Sequence, residues 1–150
     1  MIMEKSSNYK PKGFSSITPY ITVEGADRFI DFLKNAFDAE ELGRYESPEK
    51  KRIMHALLKI GDSFIELSDA SQEFPAIQTA LHLYVPDVDA VYQKAIKAGG
   101  IGKIEPKEQF YGDRESHLTD PFGNHWYIAT HVGDDVSEEE LKEELKMEHT

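Results

Sequence analysis

The chain has no cysteine, a single tryptophan, and too few basic residues to balance its acids: 17 Lys and Arg against 28 Asp and Glu. Without thiols there are no disulfides, no zinc–thiolate centres and no thiol nucleophiles, so any metal would need His and carboxylate ligands. The formal net charge of −11 opposes nucleic-acid binding, which needs a basic stripe to neutralise phosphates, and opposes attachment to anionic lipid. No apolar run has the length of a membrane span or a signal peptide, and Met1 to Gly13, carrying Lys5, Lys10 and Lys12, reads as a flexible leader. A nucleophile elbow, a phosphate-cradling glycine loop and a dinucleotide fingerprint are also missing, which leaves acyl transfer, nucleotide hydrolysis and nicotinamide redox chemistry without support. These absences fit a soluble, cytoplasmic protein.

What is present is a repeated pattern in a chain of 150 residues, a length that fits one domain or two small modules sharing one core. Ile17 to Val23 alternates apolar and polar residues with the two-residue period of a half-buried strand. Over Gly25 to Asp38 the residues Ala26, Phe29, Ile30, Leu33 and Phe37 recur at helical spacing. Three strands follow, Glu40 to Ser47, Arg52 to Ile60 and Ser63 to Ser68, with Gly61-Asp62 as the turn between the last two. The order then restarts: a strand over Thr79 to Val85, and a helix over Asp87 to Ala98 with Asp87 as N-cap and Gly99-Gly100 as its stop. Three more strands are expected near Lys103 to Phe110, Asp113 to Thr119 and His125 to Val132. Thr18 and Ala80, Tyr20 and His82, and Val23 and Val85 are each 62 positions apart. The chain therefore reads as a βαβββ unit written twice, over about residues 17–70 and 79–132, within a domain spanning 14–133. From Asp134 to Thr150 the character changes, with eight acids against Lys142 and Lys146. Ser137 and Glu140 form a capping box for a final helix with a narrow Leu141/Leu145 seam, either packed on the domain or a partner, or left as an acidic tail.

Gln109 to Trp126, which reads QFYGDRESHLTDPFGNHW, carries a turn signal: Asp120 suits its first position, Pro121 presets φ at the second, and Gly123 closes it. With Met54-His55-Ala56, Ile60-Gly61-Asp62-Ser63, Leu67-Ser68-Asp69-Ala70 and Trp126-Tyr127-Ile128-Ala129-Thr130-His131, this stretch resembles the vicinal oxygen chelate superfamily (glyoxalase/bleomycin resistance/dioxygenase), and within it the PhnB-like proteins. The resemblance covers roughly Ile17 to His131. It implies an α+β fold in which two βαβββ modules pair into an incomplete barrel with a concave pocket, and it implies a homodimer.

Strand alternation supplies an independent reading of the pocket wall, since the apolar face of each strand must pack on the helices. Ile17, Ile21 and Val23 take the core side of the first strand, leaving Thr18, Tyr20 and Thr22 inward. Met54, Ala56, Leu58 and Ile60 likewise leave His55 and Leu57, and Ile65 and Leu67 leave Phe64, Glu66 and Ser68. In the second module Ala80, His82 and Tyr84 face inward, as do Glu115, His117 and Thr119, and His125, Tyr127, Ala129 and His131. Such a wall suits a small-molecule site. His55 and Glu66 are the candidate catalytic pair, a general base with its orienting partner. Tyr20, His82, Tyr84, His117, Tyr127 and Tyr111 are candidate ligand-binding residues. Asp113-Arg114, after Tyr111-Gly112, is either an anchor for an anionic ligand, through the Arg114 guanidinium, or an ion pair that fixes a loop across the barrel mouth.

The resemblance places the usual metal-ligand roles at Thr18, Glu66, Ala80 and Tyr127, of which only Glu66 has ligand chemistry, so no metal is expected at the usual positions. A displaced divalent-metal site from His55, Glu66 and His82 is the alternative, because two His and one carboxylate can hold a metal with open positions. Three functions follow. The first is a PhnB-like binder of a small organic molecule, without a metal cofactor, that sequesters its ligand or acts on it through His55 and Glu66. The second is a metal-dependent lyase, isomerase or dioxygenase using the displaced site. The third is a non-catalytic dimeric interaction protein.

Overall fold

A computed structural model describes residues 9–133 and 137–148. Most of the expected leader, residues 1–8, lies outside the described residues, as do 134–136 and 149–150 of the acidic segment. The elements are β1 (Tyr20–Val23), α1 (Ala26–Phe37), β2 (Glu40–Glu46), β3 (Ile53–Ile60), β4 (Ser63–Asp69), β5 (Ala80–Tyr84), α2 (Val88–Lys97), β6 (Ile101–Glu108), β7 (Asp113–Thr119), β8 (His125–His131) and α3 (Glu138–Glu148). They form two four-stranded sheets, ordered β1-β4-β3-β2 and β5-β8-β7-β6. In each sheet the first strand runs parallel to the last of its module and the remaining pairs are antiparallel. This is the expected βαβββ unit, twice. Among the described residues no ladder joins the two sheets, so the eight strands form an open, incomplete barrel of two halves.

The modules meet through their helices. α1 buries the predicted stripe of Ala26, Phe29, Ile30, Leu33 and Phe37, and also Phe32 and Ala36, because it packs on its own sheet and on the second module as well. The ring of Phe37 lies 4.5 Å from Trp126, and that of Phe29 5.3 Å from Phe122. α2 contributes Val88, Tyr92 and Ala95 to the same continuous core. At the start of α1 Gly25 takes φ +93°, and its N–H and that of Ala26 donate to Asp69 Oδ1 at 3.2 and 2.8 Å, so a β4 carboxylate supplies the cap that glycine lacks. α2 starts as expected, with the Asp87 side chain accepting from Ala90 N at 3.1 Å.

The Asp120 turn is tighter than its backbone pattern alone implies. Gly123 N donates to Asp120 O at 3.1 Å, with Gly123 at φ +88°. The Asp120 carboxylate, 2% exposed, accepts from Phe122 N (2.8 Å), Asn124 N (3.0 Å) and Trp126 Nε1 (2.9 Å). One buried anion thus ties the turn to the core tryptophan.

Two expected orientations are corrected. Ile17 is 85% exposed and precedes β1, because Pro19 has no N–H for a ladder and the strand begins at Tyr20; Pro19 contributes only its carbonyl, which accepts from Glu66 N at 2.9 Å. Met54 is 43% exposed and lies on the concave side, whereas Ile53 is buried in its place. The cause is a bulge: the register against β2 jumps from Tyr45–His55 to Glu46–Ile53, which leaves Met54 as the extra residue. α3 begins at the predicted capping box, with Glu140 N donating to Ser137 Oγ at 3.2 Å. Among the described residues no helix is long and apolar enough to cross a membrane.

Candidate functional site

Because the helices face each other, the polar faces of both sheets turn away from the shared core, and Tyr20, Met54, Tyr84 and Tyr127 are all substantially exposed. The densest chemistry lies on the second sheet. His82 Nε2 on β5 meets Glu115 Oε1 on β7 at 2.8 Å, and the Tyr111 hydroxyl donates to the other oxygen, Glu115 Oε2. One step along the strands the arrangement recurs: the Tyr84 hydroxyl donates to Asp113 Oδ2 at 2.7 Å, and His131 Nδ1 meets Asp113 Oδ1 at 2.8 Å. Each carboxylate therefore bridges one phenol and one imidazole. Asp113 is 3% exposed, so its charge is stabilised by these two partners instead of by water.

Register explains how side chains on β5 reach β7 across the intervening β8. Tyr84 lies opposite Ala129, which in turn lies opposite Glu115. Ala129 is fully buried yet sits outside the core cluster, as expected for a small residue on the polar face roofed by its neighbours. The β6–β7 hairpin brings Tyr111 over the sheet: Gln109 N donates to Asp113 O at 2.7 Å, and Gly112 turns the chain at φ +89°. Burial pushes the Tyr84 phenol up to about 12, with the Asp113 hydrogen bond and the charges of Asp113 and Glu115 adding to it, so this group stays a protonated donor.

These groups border an open cavity of about 430 Å³ that Leu141, Glu144 and Leu145 of α3 and Phe110 also line. Of the residues expected to bind ligand, His82, Tyr84 and Tyr111 come together here. The others lie elsewhere. His117 and Tyr127 stack at 4.4 Å toward the opposite end of β7 and β8, where His117 Nε2 also meets His125 Nδ1 at 3.0 Å. Burial, then the charges of His125 and Lys103, hold the His117 imidazole below its ordinary value. Tyr20 lines a separate cavity on the first sheet with Met54 and Ser68. His55 and Glu66 do form the expected pair, at 2.9 Å, on that first sheet.

Arg114 points away from the cavity. Alternation on β7 puts it on the face opposite Glu115, and its guanidinium grips Asp89 of α2 through Nε at 2.8 Å and Nη2 at 2.9 Å. It pins a helix to the sheet and is not among the described residues that line the cavity. Glu115, His131 and Glu144 were not singled out by sequence reasoning as site residues. Alternation had already placed Glu115 and His131 inward, and that signal sufficed for both; Asp113 was singled out only with Arg114, a pairing the structure replaces with Arg114–Asp89 and Asp113–His131, and nothing pointed to Glu144.

The usual metal positions do not fit a cation. Tyr20 pairs with Glu66 in the first module and His82 with Tyr127 in the second, so Tyr127 is the register counterpart of Glu66. A phenol there, a methyl group at Ala80 and a hydroxyl at Thr18 offer no imidazole or carboxylate, and Glu66 is already engaged by His55. The displaced triad does not assemble within the chain either: His82 turns to Glu115, and among the described residues no three His, Asp or Glu gather as a metal site.

The family model described as glyoxalase/bleomycin resistance protein/dioxygenase superfamily matches residues 13–128. The chain belongs to that superfamily. An uncharacterized protein of Mycobacterium bovis is 34% identical over 128 residues, covering 78% of this chain and 84% of its own. Among solved structures, TioX from Micromonospora sp. ML1 superposes with a TM-score of 0.66 at 22% identity, over 79% of this chain and 99% of that one. A glyoxalase/bleomycin resistance protein/dioxygenase family enzyme from Burkholderia phytofirmans PsJN gives 0.61 at 21% identity, over 75% and 95%. A PhnB protein from Bacillus cereus gives 0.61 at 18%, over 77% and 99%. These likenesses establish the superfamily's fold; activity has to be argued from the side chains.

Proposed function

We propose that this superfamily member is a PhnB-like, cytoplasmic protein that binds a small organic molecule against β5, β7, β8 and α3 without the usual metal site. The observation that carries this reading is the pair of carboxylate bridges, Tyr111–Glu115–His82 and Tyr84–Asp113–His131, bordering one cavity. A carboxylate on one ring nitrogen orients an imidazole and stabilises its protonated form, which is what a general base needs. His82 is 40% exposed on its side chain, so a ligand can reach its ring, and it is the residue that would take a proton from the bound molecule. His55 with Glu66 is a second, simpler dyad on the first sheet.

The same reading includes a homodimer. The concave side of the first sheet exposes Tyr20 and Met54, with Phe74 of the following loop lining the same cavity, and a second copy of the chain would cover such a face.

A fragment screen read by ¹H–¹⁵N NMR tests the site. Hits should shift the amides of His82, Tyr84, Tyr111 and Glu115, and hits confined to His55 and Glu66 would transfer the function to the first sheet. Metal analysis of protein purified without chelator should find far less than one equivalent. A stoichiometric metal lost in His82→Ala would establish the metal-dependent alternative.

A further inference from the structure

The walls of the β5/β7/β8/α3 cavity specify a ligand class. Among the described residues they contain three carboxylates, Asp113, Glu115 and Glu144, two imidazoles, and neither Lys nor Arg. Even with both imidazoles protonated, one negative charge remains uncompensated. That charge has a location. Glu144 Oε2 is buried and has no hydrogen-bond partner among the described residues, a costly state for a carboxylate oxygen that calls for a donor or a cation. Glu143, its neighbour on α3, is 71% exposed on its side chain and paired with Lys146 at 3.4 Å.

The rest of the wall is aromatic and apolar. Phe110 and Tyr111 meet edge to face at 5.2 Å and 84°, and His82 and Tyr84 lie 4.7 Å apart. Both phenols donate to wall carboxylates, Tyr84 to Asp113 and Tyr111 to Glu115, so their hydroxyls are engaged within the wall and their rings are what they offer a ligand. An anionic ligand would meet three carboxylates here. A cation would meet negative charge and the electron-rich faces of rings, which attract ammonium groups.

We infer that this cavity takes an organic cation, a protonated amine or quaternary ammonium carried on an apolar body, with its charge against Glu144 and its body between the aromatic wall and the Leu141/Leu145 seam. The inference rests on the proposed site and adds the sign of the ligand's charge.

Three probes of similar size separate the two claims: benzyltrimethylammonium, benzyl alcohol and benzoate, titrated into the full chain and followed by ¹H–¹⁵N NMR. The cation should bind with shifts at Tyr84, Glu115, Leu141 and Leu145, about tenfold or more tighter than the neutral probe, with benzoate weaker still. Glu144→Gln should weaken the cation by about fivefold or more with an unchanged or higher melting temperature, whereas Glu143→Gln should leave it within about twofold. Equal binding of benzyl alcohol or benzoate at the same amides would overturn the cation inference and leave the site standing. Equal losses in the two variants would reduce the effect to the chain's overall charge and overturn it as well. No shift at these amides with any probe would remove both the inference and the site.

Discussion

Tyr84 provides the sharpest test of the carboxylate bridges, because its titration depends on whether Asp113 is where the structure places it. The phenol is raised from 10 to about 12, first by burial, then by its hydrogen bond to Asp113 at 2.7 Å and by the charges of Asp113 and Glu115. A raised value means that the folded state favours the protonated phenol. Its contribution to stability is complete below pH 10 and is lost as pH climbs toward 12. Two units correspond to about 2.7 kcal/mol before screening. Tyr84 is 59% exposed, so water screens much of this and we expect about 1 kcal/mol. ¹³Cζ-tyrosine NMR should show the Tyr84 phenol titrating well above 10. In Asp113→Asn, which keeps the shape but removes the charge, that resonance should fall by about one unit. Between about pH 9 and about pH 11 the wild type should lose about 0.5 kcal/mol more stability than Tyr84→Phe. A Tyr84 that titrates with the other tyrosines, or that ignores Asp113→Asn, would refute the bridge.

Three further outcomes follow from the packing. Asp120→Asn cannot accept from Phe122 N, Asn124 N and Trp126 Nε1 at once, and should destabilise by about 2–4 kcal/mol in urea unfolding; a loss under about 1 kcal/mol would contradict the buried anion. The Arg44 hydrogen bond, ahead of Lys34, holds Glu41 down to about 2 from 4.5. Its contribution, about 1 kcal/mol for a partly exposed network, is therefore present above pH 4.5 and fades toward pH 2, so the melting-temperature gap between wild type and Glu41→Gln should close over that window. Arg114→Ala should leave fragment affinity at the cavity within about twofold, since its guanidinium is held by Asp89 on the opposite face; a larger loss would return Arg114 to the site.

The repeat, the element order and the Asp120 turn were legible because each is a local pattern of period, cap or turn chemistry. The errors arose where local pattern and backbone geometry part. Alternation cannot foresee a bulge, so Met54 was assigned to the core, and it ran the first strand through Pro19. At the site, alternation placed His82, Glu115 and His131 on one polar face but could not say which carboxylate each imidazole would choose. That choice depends on strand register and on how the modules meet. With α1 and α2 packed together, Glu66 and His82 lie on faces turned away from a common core, and each histidine takes the carboxylate of its own sheet.

The residue that makes the second sheet's choice possible is Ala129. It stands on β8 between Tyr84 and Glu115, so the contacts from β5 to β7 must pass over its methyl group. A larger side chain there would occupy the space in which His82 meets Glu115 and Tyr84 meets Asp113. Ala129→Leu should therefore separate both pairs at once, at an overpacking cost of about 1–3 kcal/mol. The ladder should survive, since Val85 N donates to the backbone carbonyl of Ala129 at 2.8 Å whatever the side chain. The expected signature is a folded protein in which the Tyr84 titration falls back toward 10 and fragment binding at the cavity is lost. Ala129→Gly, which removes a methyl and adds no bulk, should preserve both. If Ala129→Leu folds and keeps the high Tyr84 titration, the bridges do not cross β8, and the site must be rebuilt on some other set of contacts.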